Sequence, residues 1–312
     1  VTTTHPPATL TAPRPSQRRA RMRETIAGYA FLLPWLLGFF LLTFGPMVAS
    51  LYLSFTDYDL FEANWVGLDN YTGLFSDPRY LKSVQVTVTY VLISTPVKLV
   101  AALLVAMLLN ARRRGLGFYR SAFYAPSLVA ASISIAIVWK AMFVDDAAVD
   151  SFLQIFGIDT GGWVGNQDLT MPMFVLLALW SFGGPMVIFL AGLKQVPTEL
   201  YEAAEMDGAG AFRRFLTITV PMMSPVIFFN LLMETIGAFQ VFGSAFIISG
   251  GTGAPADSAL FYTLYLYIRG FTDFRMGYAS AMAWVLVVVV GVITVLLFKT
   301  SKGWVHYQGD SR

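Results

Sequence analysis

Six long apolar stretches, parted by polar connections, take up about half of the chain. They run from Ile26 to Phe55, Val84 to Asn110, Ser121 to Val144, Met171 to Leu193, Pro225 to Ile248 and Gly277 to Phe298, each bounded by charge or by turn residues. A bilayer core about 30 Å thick takes about 20 apolar residues in a helix, whose amides bond within their own segment. The pattern predicts an all-α polytopic membrane protein, with six transmembrane helices over residues 26–299. Pro34 and Pro46 lie in the first stretch, which is expected to be kinked or broken. A cleaved signal peptide is the rival for that stretch, but its apolar run exceeds the roughly 7–15 residues of a signal core.

Composition narrows the class. Of 312 residues 56% are hydrophobic and only 13% charged, where a soluble domain carries roughly 25%, so the apolar surface must face lipid. Cysteine is absent, and the two histidines, His5 and His306, lie near opposite ends. Disulfide frameworks, cysteine nucleophiles and ordinary zinc sites are excluded. A net charge of +2, with no basic cluster interleaved with aromatics, gives no footing for nucleic acid. No Gly-x-x-x-x-Gly-Lys-Ser/Thr loop occurs; Gly250 to Gly253 lacks the lysine and reads as a flexible turn. The chain has no loop to cradle ATP and binds no cofactor by this reading.

Basic residues alternate between connections, and the cytoplasmic side retains them. The N-terminal tail has Arg14, Arg18, Arg19, Arg21 and Arg23; the second connection has Arg112, Arg113, Arg114 and nearby Arg120; the fourth has Lys194, Arg213 and Arg214; the C-terminal tail has Lys299, Lys302 and Arg312. The opposite side has only Arg79, Lys82, Arg269 and Arg275, and its connections are acidic, with Asp57, Asp59 and Glu62 in the first and Asp145, Asp146 and Asp150 in the second. Both termini are expected to be cytoplasmic. Residues 1–25, rich in Pro and Thr ahead of the arginines, are expected to form a disordered basic tail, and 300–312 a second cytoplasmic tail.

The connection over 197–221 is long for a bundle and patterned rather than random. Thr198 can cap a first helix, with Glu199 and Glu202 in its opening turns and Leu200, Ala203, Ala204 and Asp207 on one side. Gly208 and Gly210 stop it, and a second segment follows in which Phe212, Phe215, Leu216 and Thr219 share a face until Pro221 ends it. The unit reads as helix, glycine turn, helix. It is suited to docking through its alanines and acidic flanks, or else to lying on the membrane surface.

The sequence of this unit resembles the cytoplasmic signature of membrane-spanning subunits of ATP-binding-cassette importers: Glu202-Ala203-Ala204, Gly208, Ile218 and Val220-Pro221 stand at its spacing, with Val220 in place of leucine. The likeness extends to the carbohydrate-uptake branch, of the maltose and glycerol-phosphate type, through Phe44-Gly45-Pro46, Tyr119-Arg120-Ser121 up to Pro126, Ala238-Phe239-Gln240 and Gly277-Tyr278-Ala279. The resemblance implies a bacterial inner-membrane permease subunit that is not itself an enzyme. Glu202, Ala203, Ala204, Asp207, Gly208, Ile218 and Pro221 would couple it to separate ATPase subunits. A second, different permease, an extracellular sugar-binding protein, the lipid bilayer and a sugar complete the implied partners.

Charged and polar groups inside spans normally face a bundle interior or an aqueous cavity, because lipid disfavours them. On the fifth span Asn230, Glu234, Gly237 and Gln240 fall near one face. On the fourth, Trp180, Ser181, Phe182, Gly183 and Gly184 form a flexible point before Pro185. Hydroxyl partners and flat aromatic faces are what a sugar requires. Trp180, Ser181, Gly184, Asn230, Glu234 and Gln240 are therefore the candidate path residues, with a helix-packing seam as the plainer alternative. Lys98 is expected to pair with Glu234 or snorkel, and Lys140 to snorkel. An ion- or proton-coupled secondary transporter using Glu234 is the competing function. A membrane-embedded enzyme lacks convergent acid, base or metal groups.

Overall fold

The computed structural model describes residues 15–111, 115–130 and 132–305. The first fourteen residues, Arg112 to Arg114 and the end of the C-terminal tail, with His306 and Arg312, lie outside the described residues. Within them the architecture is all-helical, with one isolated bridge between Thr56 and Trp65.

The chain divides into two compact units, 1–52 and 53–312. The first holds α1 (Pro15–Gly38), a π-helical turn over Phe39–Phe44, and the start of α2 (Gly45–Leu53). Helix thus begins eleven residues before Ile26, inside the segment expected to be disordered. The arginines, alanine and methionine between Pro15 and Glu24 are good helix formers, and proline suits a first helical position. Pro34 and Pro46 leave the helical run unbroken. The wide turn ahead of Pro46 accommodates its missing N–H and its ring, where an α-turn would clash. Along this unit Trp35 stacks on Phe39 with ring centroids 5.6 Å apart, and Phe40 meets Phe44 edge-on at 5.6 Å.

The second unit continues with α3 (Asp69–Ser76), α4 (Pro78–Leu109), α5 (Leu116–Val129), α6 (Ile133–Phe143), α7 (Ala148–Gln154), α8 (Gln167–Trp180), α9 (Gly183–Leu193), α10 (Thr198–Met206), α11 (Ala211–Arg214), a π-turn over Phe215–Thr219, α12 (Val220–Phe239), α13 (Gly243–Ile248), α14 (Tyr262–Tyr267), a third π-turn over Ile268–Thr272, and α15 (Met276–Ser301). Among the described residues, four helical runs are long and apolar enough to cross a membrane: Arg21–Leu53, Pro78–Leu109, Ala211–Ile248 and Met276–Ser301. The third and fourth apolar stretches are bent pairs, α5 with α6–α7 and α8 with α9, and each pair qualifies if taken as one span. Ser132, extended and accepting from the Ser134 N–H, starts α6 afresh. The 45° bend between α8 and α9 falls at Ser181 and Phe182, beside the glycines that marked a flexible point.

Helix α4 is the axis of this unit, packing against α8, α9, α12 and α14. Its Ala102 and Ala106, both fully buried, let α9 and α12 approach with Phe189, Leu193 and Met223. At the other end of α4, Leu74, Phe174, Leu260, Phe261 and Tyr265 form a second core. Gly183 is a forced choice, since a Cβ there would stand 2.5 Å from the Phe123 carbonyl oxygen.

A polar knot closes that end. Asp77 caps α4 by accepting from the Arg79 N–H at 3.0 Å. Its other oxygen accepts from the Tyr265 hydroxyl, from Arg269 at 2.9 Å and from the Tyr278 hydroxyl at 2.8 Å. Burial pushes the Asp77 carboxyl up, but the hydrogen bonds from Tyr265, Tyr278 and Arg269 outweigh it and bring it down to about 2. Nearby, Asn70 donates to the Ser54 and Thr56 carbonyls, and the Gly277 N–H donates to Tyr58 at 3.0 Å. Gly250, Gly251 and Gly253 take positive φ, and a Cβ at Gly253 would strike Leu260, so the turn expected to be flexible is a fitted one.

A Cβ on Gly277 would lie 2.0 Å from the Thr56 carbonyl oxygen, a contact that only backbone movement relieves. Gly277→Ala is expected to cost about 2–3 kcal/mol, measured as a lowered midpoint of thermal unfolding in detergent. An unchanged midpoint would show that this approach is not tight.

Candidate functional site

Where α4, α12 and the two bent pairs face one another, a cavity of about 540 Å³ opens. Lys98 and Glu234 lie on its wall with Nζ and Oε2 2.8 Å apart, and only 14% and 23% of their side chains are exposed. The two charges sit on different helices in apolar runs. Each satisfies the other, as charge in a low-dielectric interior requires. Around the pair the wall is hydroxyl-rich, with Ser94 from α4, Ser127 from α5, Ser181 at the α8–α9 bend and Ser244 from α13.

Of the six path candidates, Ser181, Gly184, Glu234 and Gln240 line this cavity, with Gly237 beside them. Trp180 and Asn230 do not. Trp180 packs on Trp139, with ring centroids 5.8 Å apart. Asn230 is 2% exposed, and its side-chain amide donates to the Val226 carbonyl of its own helix at 3.0 Å. The stripe expected on the fifth span is therefore split, one turn serving packing and the next the cavity. Lys140 does not snorkel; its ammonium donates to the Ile247 carbonyl at 3.1 Å, at the end of α13. Nothing in the sequence singles out Ser127, Ser132 or Ser244, because a lone serine in an apolar span most often bonds back to its own helix, as Ser127 does to the Tyr124 carbonyl; Ser94 is different. The signal was there in Ser94-Thr95-Pro96, a polar break one turn before Lys98.

The second cluster of candidates lies on α10 and the turn that follows. Thr198 is the first helical residue rather than a cap, because Pro197 takes the cap position and makes no side-chain bond there. Gly208 ends the helix with φ +75°, and the Ala209 N–H donates back to the Ala204 carbonyl at 2.9 Å. A Cβ at Gly208 would meet nothing within 4 Å, so glycine is demanded by conformation and not by space. The second segment is not a separate helix ended by Pro221. From Ala211 it runs through the π-turn into α12, and that wide turn just ahead lets Pro221 enter without breaking the run.

The signature residues divide by direction. Glu202, Ala203, Asp207 and Gly208 are exposed, together with Met206 and Phe212, while Ala204, Ile218 and Pro221 are half-buried. Ile218 packs with Tyr201, Val196 and Met223 against the core under the loop. Two bonds brace the unit: the Tyr201 hydroxyl with Thr219 Oγ1 at 2.9 Å, and Arg214 with Glu205 at 2.8 Å. The arrangement is a stiff knob, rooted in the bundle by its second limb and presenting small, acidic and apolar groups outward.

Residues 70–301 match the sequence profile of a family described as binding-protein-dependent transport system inner membrane component. The chain belongs to that family. This inner membrane component is 48% identical over 293 residues to the probable ABC transporter permease protein YesP of Bacillus subtilis, covering 93% of this chain and 95% of that one. It is 32% identical to the arabinooligosaccharides transport system permease protein AraP of the same organism, over 88% of each chain. Its fold matches a chain in the crystal structure of a bacterial ABC transporter involved in import of the acidic polysaccharide alginate, with a TM-score of 0.79 over 92% of this chain and 98% of that one, at 22% identity. Membership makes the chain a multi-pass transport subunit of the membrane, not an enzyme.

The Lys98–Glu234 pair gives the cavity a measurable signature. Lys98→Met or Glu234→Leu alone strands a charge and is expected to destabilise by about 2 kcal/mol, less than a fully buried pair because both groups face the cavity. The double variant should recover most of that loss in detergent unfolding. Additive losses would show that the two groups do not interact.

Proposed function

We propose that the chain is one membrane-spanning half of an ATP-driven, binding-protein-dependent sugar importer. Six spans, the two bent pairs counting as one each, form its half of the path, and both termini face the cytoplasm. The ATPase, where ATP and Mg bind, docks on the knob at α10. A second, different permease forms the other half, and an extracellular binding protein delivers the sugar. The outward face of α10 carries this reading: the Glu202-Ala203-Ala204 to Gly208 run projects from the bundle while Ile218 anchors it. A push on that segment would cross the Gly208–Gly210 turn into the run that starts at Ala211 and continues as α12, and would reach the core through Ile218. Sugars as cargo are supported by the arabinooligosaccharide role in the name of AraP and by the hydroxyl-rich cavity.

Closing of the ATPase dimer would draw the knobs together and turn the path from inward-facing to outward-facing. Reversing a 1:99 equilibrium takes about 5.5 kcal/mol of differential binding, which the nucleotide supplies through this contact. The proton-coupled alternative finds no support. The relatives named above are ABC permeases, and Glu234 is tied to Lys98, where a coupling acid must be free to take up and release a proton.

Purification from the native membrane is expected to bring along an ATPase whose hydrolysis rises with a sugar and its binding protein. Gly208→Pro, which cannot adopt φ +75°, and Glu202→Lys should each reduce uptake to background with insertion intact. Wild-type uptake by either variant would refute docking at α10. Because the chain has no cysteine, single replacements report sidedness. In intact cells a membrane-impermeant maleimide should modify Glu62→Cys and spare Met206→Cys, and the reverse result would invert the orientation.

A further inference from the structure

The charge of the cargo is left open by the fold, since the alginate importer shares it. The cavity wall is more specific. Among its described residues Lys98 and Glu234 are the charged ones, and they face each other at 2.8 Å. The remaining polar lining is neutral and dominated by hydroxyls; Ser127 and Ser181 donate back to the Tyr124 and Ala178 carbonyls and keep their lone pairs for the cavity. We infer that this subunit's wall of the path takes an uncharged stretch of glycan, and that the Lys98–Glu234 pair is its charge filter. The inference rests on the importer reading, within which it assigns the substrate class.

The physical reason is compensation. A sugar carboxylate that reaches Lys98 must share its single positive charge with Glu234, and so stands beside a second anion in a partly dehydrated cavity. Like charges so placed disfavour one another strongly, more than in water. A protonated amino sugar meets the mirror-image obstacle at Lys98. An uncharged sugar meets neither, because its hydroxyls can bond to the pair from the cavity side and to the surrounding serines without separating the charges. Replacing one member converts the wall from neutral to charged while leaving its shape almost unaltered.

The test uses two disaccharides that differ only at C6, galactobiose and digalacturonate. Their dissociation constants are measured on the purified permease–ATPase assembly in nanodiscs, without the binding protein and without nucleotide. The wild-type assembly is expected to bind galactobiose more tightly. Glu234→Gln, which keeps the shape and frees the Lys98 cation, should shift the ratio towards digalacturonate by about tenfold. Lys98→Gln should shift it the other way, and the exchange of Lys98→Glu with Glu234→Lys should restore the wild-type preference. Tighter digalacturonate binding by the wild type overturns the inference, as does a ratio unmoved by Glu234→Gln or no binding of either sugar. ATP-driven uptake by the same assembly is scored separately, so loss of the charge filter and loss of the importer reading are distinguishable.

Discussion

In hydrocarbon a polar group without a partner has no water to fall back on, and this constraint governs the chain at every scale. It makes the spans helical, so that each amide bonds within its segment. It also decides what happens where the helix falters. The two π-turns that precede Pro46 and Pro221 widen the backbone where an N–H is missing, and the helical run continues. Side chains obey the same rule. Lys98 finds Glu234, Lys140 finds a carbonyl at the end of α13, and Asn230 turns back on its own helix.

Function enters where satisfaction is met at a cavity and not in packed interior. The Lys98–Glu234 pair is on the wall of an open space, so its charges are balanced yet accessible. A wholly buried pair would serve packing alone. Asn230, one turn away on α12, illustrates the difference. Similar in sequence position and polarity, it is sealed between helices and cannot touch anything that passes.

The knob around α10 meets a separate demand of the proposed importer, that of moving a bundle from outside it. Its signature combines two demands within twenty residues. Glu202, Ala203 and Gly208 are outside, where the proposed ATPase would grip, while Ile218 is inside, where such a grip would pull on the core. The continuous run from Ala211 into α12 connects the knob to the helix that bears Glu234. On the proposed reading, a force applied at α10 would cross the glycine turn and then reach the cavity through hydrogen-bonded helix from Ala211 onward.

The family signature, the apolar stretches and the expectation that Lys98 could meet Glu234 were legible along the chain, because periodicity, spacing and the aversion of lipid to charge act on residues one at a time. The glycines that halt α10 were legible for the same reason: φ is a local property. Whether Asn230 or Ser127 faced the cavity was not, since a helical face acquires its meaning only when neighbours pack against it. Nor was the helix through Arg18 to Arg23 read from composition that stressed the prolines and threonines before it. Sequence by itself determined where the long apolar helices lie and which residues must find partners. Tertiary structure alone decided which partners they found, because a buried polar group is satisfied by whatever the folded chain brings within about 3 Å.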